Sequence, residues 1–534
     1  MSSTPTAAPA RNPWVVLVVL CSAVFMLLLD TTIVNNAQVQ IRRGLEANLT
    51  QIQWVLDSYI LTYAVLLLSF GRLGDIFGRK RLFLIGMALF TVASGLCGVV
   101  TALSDATGLS AISLLIAARV LQGIGGALMM PSSLSLLTVV FPPEKRGTAM
   151  GIWGSVVGLG AVAGPVLGGY LVTNYDWEWV FLINLPVGAA ALVAAVRIIP
   201  ESVDPNASRR LDWAGLGLSA AGIFLVVFAL IEGNAKGWTS ATILGSLAAG
   251  AALIGVFVWW EWRVADPMMK VELFRQRNFV VGNFLALTVS FGMLGIFFPL
   301  TIFLQGVLGF SAIRSGLSIA PMSIALLLAA PLAGRLTDML GARWILTGGL
   351  TTVVVGLAWI IRSCTLEADW RSLAPALLLT GLGMGFTFAP MTAAAMRDVP
   401  HGIVGSASGI LNTTRNIGQV LGIAVLGSLL QNRVGSHAGD NLRSLPLDDA
   451  TRAQVSELAQ QSQFERISAA VPAELSDRVL AAVRSGFVDA LHNTFTAGAL
   501  LCAVAAGMAL LIRNPVPRTA HSAATANVSA QAAD

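Results

Sequence analysis

Fourteen stretches of this chain, beginning near residues 14, 53, 82, 112, 149, 180, 213, 240, 279, 316, 344, 373, 404 and 490, are long, mainly apolar runs. About 20 such residues are what an α-helix needs to cross the hydrocarbon core of a bilayer. No other feature restricts the fold as strongly. Inside lipid a backbone amide has no water to bond, so a run of this kind becomes a helix that satisfies its own hydrogen bonds. Charged residues make up only 11% of the 534 positions, against about 25% in soluble domains, so these helices lack the polar faces that would keep them in water. The run from Trp14 to Leu29 follows Arg11 and resembles a signal peptide, yet no small-residue cleavage site lies behind it and Asp30 follows directly. It is expected to be a retained first span. The fold class is an all-α membrane protein with 14 transmembrane helices.

A charged turn divides the series. Gly71-Arg72-Leu73-Gly74-Asp75-Ile76-Phe77-Gly78-Arg79-Lys80 returns 263 positions later as Gly334-Arg335-Leu336-Thr337-Asp338-Met339-Leu340-Gly341-Ala342-Arg343. Two related bundles joined in one chain explain such a repeat, an arrangement common in secondary transporters. Spans 1 to 6 occupy residues 14–199, and spans 7 and 8 lie in the 76 residues 200–275. Removing 76 from 263 leaves 187, about the length of the first six spans, so an inserted helix pair separates two six-helix halves. The expected division is a cytoplasmic N-terminus (1–13), a first bundle (14–199), the linker pair (200–275), a second bundle (276–512) and a disordered cytoplasmic tail (513–534). The second bundle includes a hydrophilic outer loop (431–489), whose later part alternates apolar and polar residues at helical spacing, as a surface helix does.

An even number of spans puts both termini on one side, and basic residues choose the side. With the ends in the cytoplasm, the termini and inner loops hold 19 of the 33 Lys and Arg, and the short outer loops hold 6. The long outer loop holds 6 more, which scarcely influence orientation. The net charge of +5 forms no basic stripe of the kind nucleic acid needs. Cys21, Cys97, Cys364 and Cys502 sit in apolar runs without metal-ligand spacing and read as small hydrophobes; no metal site is expected. There is no GxxxxGK[ST] phosphate loop.

Gly71, Gly74 and Gly78 permit close helix approach and a tight turn, while Asp75 suits the positive end of a neighbouring helix and Arg79 suits an acid across the bundle. The turn and its second copy at Asp338 therefore read as a latch between bundles. The basic residues alone would satisfy a topology rule, but an acid repeated among them is no topology signal. Span 5 carries Gly154, Gly158, Gly160, Gly164, Pro165, Gly168 and Gly169. These small-xxx-small steps let backbones touch, and the proline bends the helix; plain helix packing is the simpler account of the glycines.

At these residues the chain resembles the major facilitator superfamily. The first turn is similar to its loop signature, and Leu115-Ile-Ala-Ala-Arg119-Val-Leu-Gln122-Gly123 to its span-4 signature. Gly158-Leu-Gly-Ala-Val-Ala-Gly164-Pro165-Val-Leu-Gly168-Gly169 resembles the span-5 signature of its antiporters. Leu29-Asp30-Thr31-Thr32-Ile33-Val34-Asn35, with fourteen spans, looks like the drug:proton antiporter branch. Phe181-Leu-Ile-Asn184-Leu-Pro186-Val-Gly188, Leu273-Phe274-Arg275 and Asn412-Thr-Thr-Arg415-Asn-Ile-Gly418 are further matches, and the resemblance runs from about residue 14 to 512. Asn36-Ala37-Gln38-Val39-Gln40 and the acid in Trp177-Glu178-Trp179 depart from the family pattern at the outer mouth.

Ionisable groups deep in a span are costly and mark function. Four qualify: Asp30, Asp57, Arg119 and Arg415. None of the four histidines lies deep in a span, so proton carriage falls to carboxylates. Burial favours the neutral form of a carboxylate and a nearby guanidinium the charged form, so an arginine can toggle an acid. Asp30 is expected to couple protons or recognise a cation. Asp57 either does the same or sits at the lipid boundary. The resemblance gives Arg119 the family's relay role, and Arg415 either joins the site or ties spans together. Phe25, Met26, Tyr59, Tyr63, Phe291, Phe297, Phe386 and Met391 are candidates for lining a central cavity.

The resemblance implies a proton-driven exporter of hydrophobic or cationic small molecules such as drugs, antibiotics or dyes. It would work as a monomer among the lipids of a bacterial cytoplasmic membrane, with the proton gradient in place of any cofactor. The same fold serves an exporter of an endogenous lipid, siderophore or metabolite equally well. A membrane enzyme or scaffold is the remote alternative, and the clustered His, Asp or Glu that an enzyme needs at one membrane face is not found.

Overall fold

The computed structural model describes residues 12–47, 49–202, 212–264, 267, 269, 271–400, 403–460 and 464–514. Almost all of the expected N-terminal segment and tail, residues 1–11 and 515–534, lies outside the described residues. The first half comprises α1 (Pro13–Gly44), α2 (Leu49–Phe77), α3 (Arg79–Cys97), α4 (Val100–Thr107), α5 (Ala111–Val140), α6 (Pro143–Asn174), α7 (Trp179–Leu182) and α8 (Asn184–Ile198). A hairpin of α9 (Trp213–Lys236) and α10 (Ala241–Glu261) follows. The second half holds α11 (Arg277–Ile302), α12 (Ala312–Leu340), α13 (Ala342–Ser363), α14 (Trp370–Met396), α15 (Val404–Leu442), α16 (Asp449–Gln460), α17 (Phe464–Ala470) and α18 (Ala473–Ala509). No strand occurs among the described residues.

The ends of these helices follow from local chemistry. Asn12 accepts the Trp14 amide at 3.0 Å ahead of Pro13, whose missing N–H costs nothing in a first turn. Asp369 and Ser372 form a reciprocal capping box that starts α14. The repeated turn also repeats as backbone: Gly78 (φ 106°, ψ 126°) links α2 to α3, and Gly341 (φ 83°, ψ 158°) links α12 to α13. A side chain at either position would be strained, which is why glycine survives in both copies.

Eleven helices among the described residues are long and apolar enough to cross a membrane, or twelve with α2 taken as one span bent by 54° between Leu67 and Ser69. The helices α6 and α11, of 32 and 26 residues, stand outside that count. Within the first half α1 packs on α6, and α5 on α2 and α3; within the second, α14 packs on α12 and α13, and α15 on α11 and α18. The halves meet where α6 lies against α12 and α14 and where α2 lies against α15. The α9–α10 hairpin leans on α2 and α15 through α9, and Trp238 donates its indole N–H to Ser428 of α15 at 3.0 Å.

Segment 431–489 is largely helical. The helix α15 runs on to Leu442, and α18 begins at Ala473 rather than near residue 490. Between them α16 and α17 bury Val455, Ala459 and Ile467, and Phe464 meets Phe487 edge-on with ring centroids 5.7 Å apart. Their apolar stripes need a partner face, which the extensions of the two long helices supply.

Candidate functional site

Four elements of the first half converge on one carboxylate. Asp30 of α1 is fully buried, and Arg119 of α5, 1% exposed, donates to its Oδ2 from Nη1 at 2.5 Å. Gln122, one turn further along α5, donates from Nε2 to Asp30 Oδ1 at 3.1 Å and accepts from Arg119 Nη1 at 2.8 Å. Asn184, at the start of α8, donates to the same Oδ1 at 3.3 Å and to Ser94 Oγ of α3 at 3.0 Å. Ser94 in turn donates to the Phe181 carbonyl at 2.9 Å. The remaining face of the guanidinium is also used. Its Nε donates to the Val55 carbonyl of α2 at 3.1 Å, and its carbon lies 4.3 Å from the centre of the Tyr59 ring. A buried ion pair repays its desolvation only as far as its spare donors and acceptors are satisfied, and here the carboxylate, the guanidinium Nε and its Nη1 all find partners.

Arg415 of α15, 6% exposed, lies instead at the meeting of the halves. Its Nη2 donates to Thr392 Oγ1 of α14 at 3.1 Å, and its carbon lies 5.9 Å from the Trp153 ring of α6 and 5.7 Å from the Phe388 ring of α14. Asp57 joins neither group. It is half-buried on α2 and faces Glu232 of α9, which pairs with Lys236 at 3.3 Å.

The repeated turn forms two cross-bundle clasps at one end of the molecule. Asp75, fully buried near the end of α2, accepts the Gly405 and Ser406 backbone amides of α15, each at 3.0 Å. Asp338 of α12 accepts the Gly147 and Thr148 amides of α6 at 3.0 and 3.1 Å. Asp75 thus meets free amides in the first turn of α15, and Asp338 reaches the second turn of α6, near the end whose dipole favours negative charge. The acid that Arg79 pairs with, at 2.8 Å, is Asp75 of its own half, four residues earlier, whereas the sequence predicts a partner across the bundle. Arg79 also donates to Ser202 Oγ at 3.1 Å; Ala342 occupies the equivalent place in the second copy. A β-carbon on Gly71 would strike the Gly405 carbonyl, and one on Gly334 the Gly147 carbonyl. Gly74 has looser surroundings, its nearest neighbour being Ser132 Oγ at 3.7 Å.

The glycine ladder on α6 is a packing seam. A β-carbon on Gly160 would lie 2.7 Å from that of Leu28, one on Gly164 would overlap the Thr32 side chain, and one on Gly168 would lie 2.9 Å from Ile33 Cγ1. Thr32 donates to the Gly160 carbonyl at 3.1 Å across the seam. The packing account therefore covers these three positions, and the seam holds α1, and with it Asp30, against the helix that meets the second half. Gly169 lies in the same helix, half-buried; the side-chain surroundings of Gly158 and Pro165 lie outside the described residues.

Gln122, Asn184 and Ser94 are site residues that reasoning from charge passes over. Their signal is faint: Gln122 is three residues from Arg119, so it shares a helix face with it, and Asn184 is a lone amide in an apolar run. Of the aromatic and thioether candidates, Tyr59 and Tyr63 stack 6.0 Å apart at 8°, and Met26 and Met391 are buried.

The chain matches the family model of the Major Facilitator Superfamily over residues 20–423. It is 34% identical over 522 residues to the tetracenomycin C resistance and export protein of Streptomyces glaucescens, covering 97% of this chain and 95% of that one. It is 38% identical over 410 residues to the multidrug resistance protein Stp of Mycobacterium tuberculosis, covering 76% and 74%. Among solved structures, the proton:xylose symporter XylE shares the fold with a TM-score of 0.57 at 14% identity, over 92% of this chain and 94% of that one.

Proposed function

This chain belongs to the Major Facilitator Superfamily, a multi-pass membrane transporter and not an enzyme, and from that premise we propose that it exports hydrophobic small molecules such as antibiotics, drugs or dyes in exchange for protons. The proton gradient across a bacterial cytoplasmic membrane supplies the energy without a bound cofactor, and the monomer is the working unit. We read fourteen spans with both ends in the cytoplasm: the eleven helices, bent α2, and α6 and α11. The 19-to-6 bias of basic residues supports that orientation. The two clasps then close the cytoplasmic side.

The observation that carries the reading is the buried Asp30–Arg119 pair. Removing one charge of such a pair costs about 3–5 kcal/mol. Protonation of Asp30 removes its charge and leaves Arg119 uncompensated in a dry site. Moving a two-state carrier from one face to the other takes about 5.5 kcal/mol of differential binding. The first magnitude falls somewhat short of the second but is of the same order, so loading a proton at Asp30 biases which way the halves tilt without fully switching it, and its release inside resets the pair. The test uses everted vesicles and a compound that loses potency when the protein is overproduced. Asp30→Asn should abolish accumulation driven by the pH gradient, with the protein still inserted and monodisperse. Undiminished gradient-driven accumulation in that variant would refute the proposal.

A further inference from the structure

The deep arginines of this molecule are not equivalent. Arg119 is matched by Asp30 and Arg79 by Asp75. Arg415 is also buried, at 6% exposed, yet among the described residues no carboxylate pairs with it. Its one hydrogen bond from Nη2 goes to a neutral hydroxyl, and its Nε has no hydrogen-bond partner among the described residues. A buried guanidinium with open donors is expensive, and the expense is placed where the two halves meet, with Trp153 from one half and Phe388 from the other beside it. A planar fork of five N–H donors matches a carboxylate, sulfonate or phenolate, and the flanking rings match a flat apolar body.

We infer that the exported molecule carries an anionic group on an aromatic or apolar body, and that Arg415 is the residue that receives the anion. The inference rests on the export reading above and names its substrate class. The resemblance implies a hydrophobic or cationic cargo, and Asp30 is the candidate to recognise a cation, but that carboxylate is fully buried and already accepts from Arg119, Gln122 and Asn184. The charge balance has a consequence. A monoanion leaving in exchange for one entering proton moves two charges in the same sense, so an inside-negative potential drives export together with the pH gradient. A monocation exchanged for one proton moves no net charge.

The test separates binding from transport. Purified full-length protein in detergent is titrated with fluorescein, 8-anilinonaphthalene-1-sulfonate and salicylate, and each is competed with tetraphenylphosphonium. At least one anion should bind, Arg415→Gln should weaken it tenfold or more, Arg415→Lys should retain part of the affinity, and the cation should not compete. In proteoliposomes an imposed inside-negative potential should speed transport of the bound anion at constant pH gradient. Failure of all three anions to bind, equal binding to Arg415→Gln, or equal competition by the cation overturns the inference while leaving proton-driven export intact. Anion binding that depends on Arg415, with no transport under any pH gradient, upholds the site and refutes the export reading instead.

Discussion

Asp75→Asn offers the most direct test of the clasps, because the structure separates two jobs done by one side chain. Its bonds to the Gly405 and Ser406 amides cross between halves, so on the alternating-access reading they are made only when that side is shut. Its bond to Arg79 stays within the first half, four residues along the chain, so a tilt of the halves as rigid units would leave it in place. Hydrogen bonds to a charged acceptor contribute about 1.5–3 kcal/mol each, so the two crossing bonds hold the closed state by about 3–6 kcal/mol. An asparagine keeps one neutral acceptor, contributing about 1 kcal/mol, and turns its NH2 toward the other amide. The closed state therefore loses about 2–5 kcal/mol, and the ratio of inward-open to closed molecules rises at least about 30-fold.

Ser408 reports this opening, since it is buried between the halves with its hydroxyl on the Pro131 carbonyl at 3.2 Å. A cysteine placed there, in a background lacking the four native cysteines, should be alkylated from the cytoplasmic side far faster with Asn at 75. Asp338→Asn should act in the same direction through the Gly147 and Thr148 amides, and the two should multiply because they bias one equilibrium. Arg79→Ala is the control. It removes an intra-half pair and should lower thermal stability with little change in the labelling ratio. Unchanged labelling in the Asp75 and Asp338 double variant would show that these carboxylates are folding elements and hold no gate.

Three further outcomes are expected. Gln122→Leu strips one donor from the buried Asp30 carboxylate and should cost about 1–3 kcal/mol, read as a lower melting temperature in detergent; an unchanged melting temperature contradicts the network. Gly164→Leu drives a side chain into Thr32 on α1 and should cost about 1–3 kcal/mol through overpacking and stop transport, which a freely active variant would disprove. Gly341→Ala should destabilise by about 1–3 kcal/mol because of its positive φ, whereas Gly348→Ala, with open space around it in mid-helix, should be neutral or stabilising in the same thermal assay.

What was legible in the sequence was whatever carried charge against an apolar background. Asp75 and Asp338 stood out as acids repeated at one offset, and Asp30, Arg119 and Arg415 as charges in runs where charge is costly. The partners of the clasps were not legible, because Gly405, Ser406, Gly147 and Thr148 contribute backbone amides, which every residue owns, at separations of 190 to 331 positions. Gln122 and Asn184 stood within stretches that resemble the family, but their contact with Asp30 was not legible, and Ser94 gave no signal, since a neutral amide or hydroxyl in a membrane helix costs too little to mark itself. Asp57 looked equivalent to Asp30 by composition. Only packing shows that it faces the inserted hairpin instead of the bundle interior, because nothing in the local pattern says where α9 docks.

The helices α2 and α15 carry the clasp and run past the buried charges, which on the proposed exchange gives a route by which a proton held in one half would be felt in the other. At one end α2 presents Asp75 to the first turn of α15; further along, its Tyr59 lies under Arg119 and stacks on Tyr63 one turn away. Tyr63 lies beside Arg415 of that same α15. On the proposed exchange, a loss of charge at Asp30 would free Arg119 to settle more fully on Tyr59, and the stack would pass that shift to the residue that meets the second half. Because α2 bends between Leu67 and Ser69, its two segments can tilt separately, so a displacement at the tyrosines need not carry Asp75 with it until the bend is taken up. The first half thus holds a complete ion pair, the second a buried cation with no carboxylate partner among the described residues, and a single bent helix runs from beside these charges to the clasp.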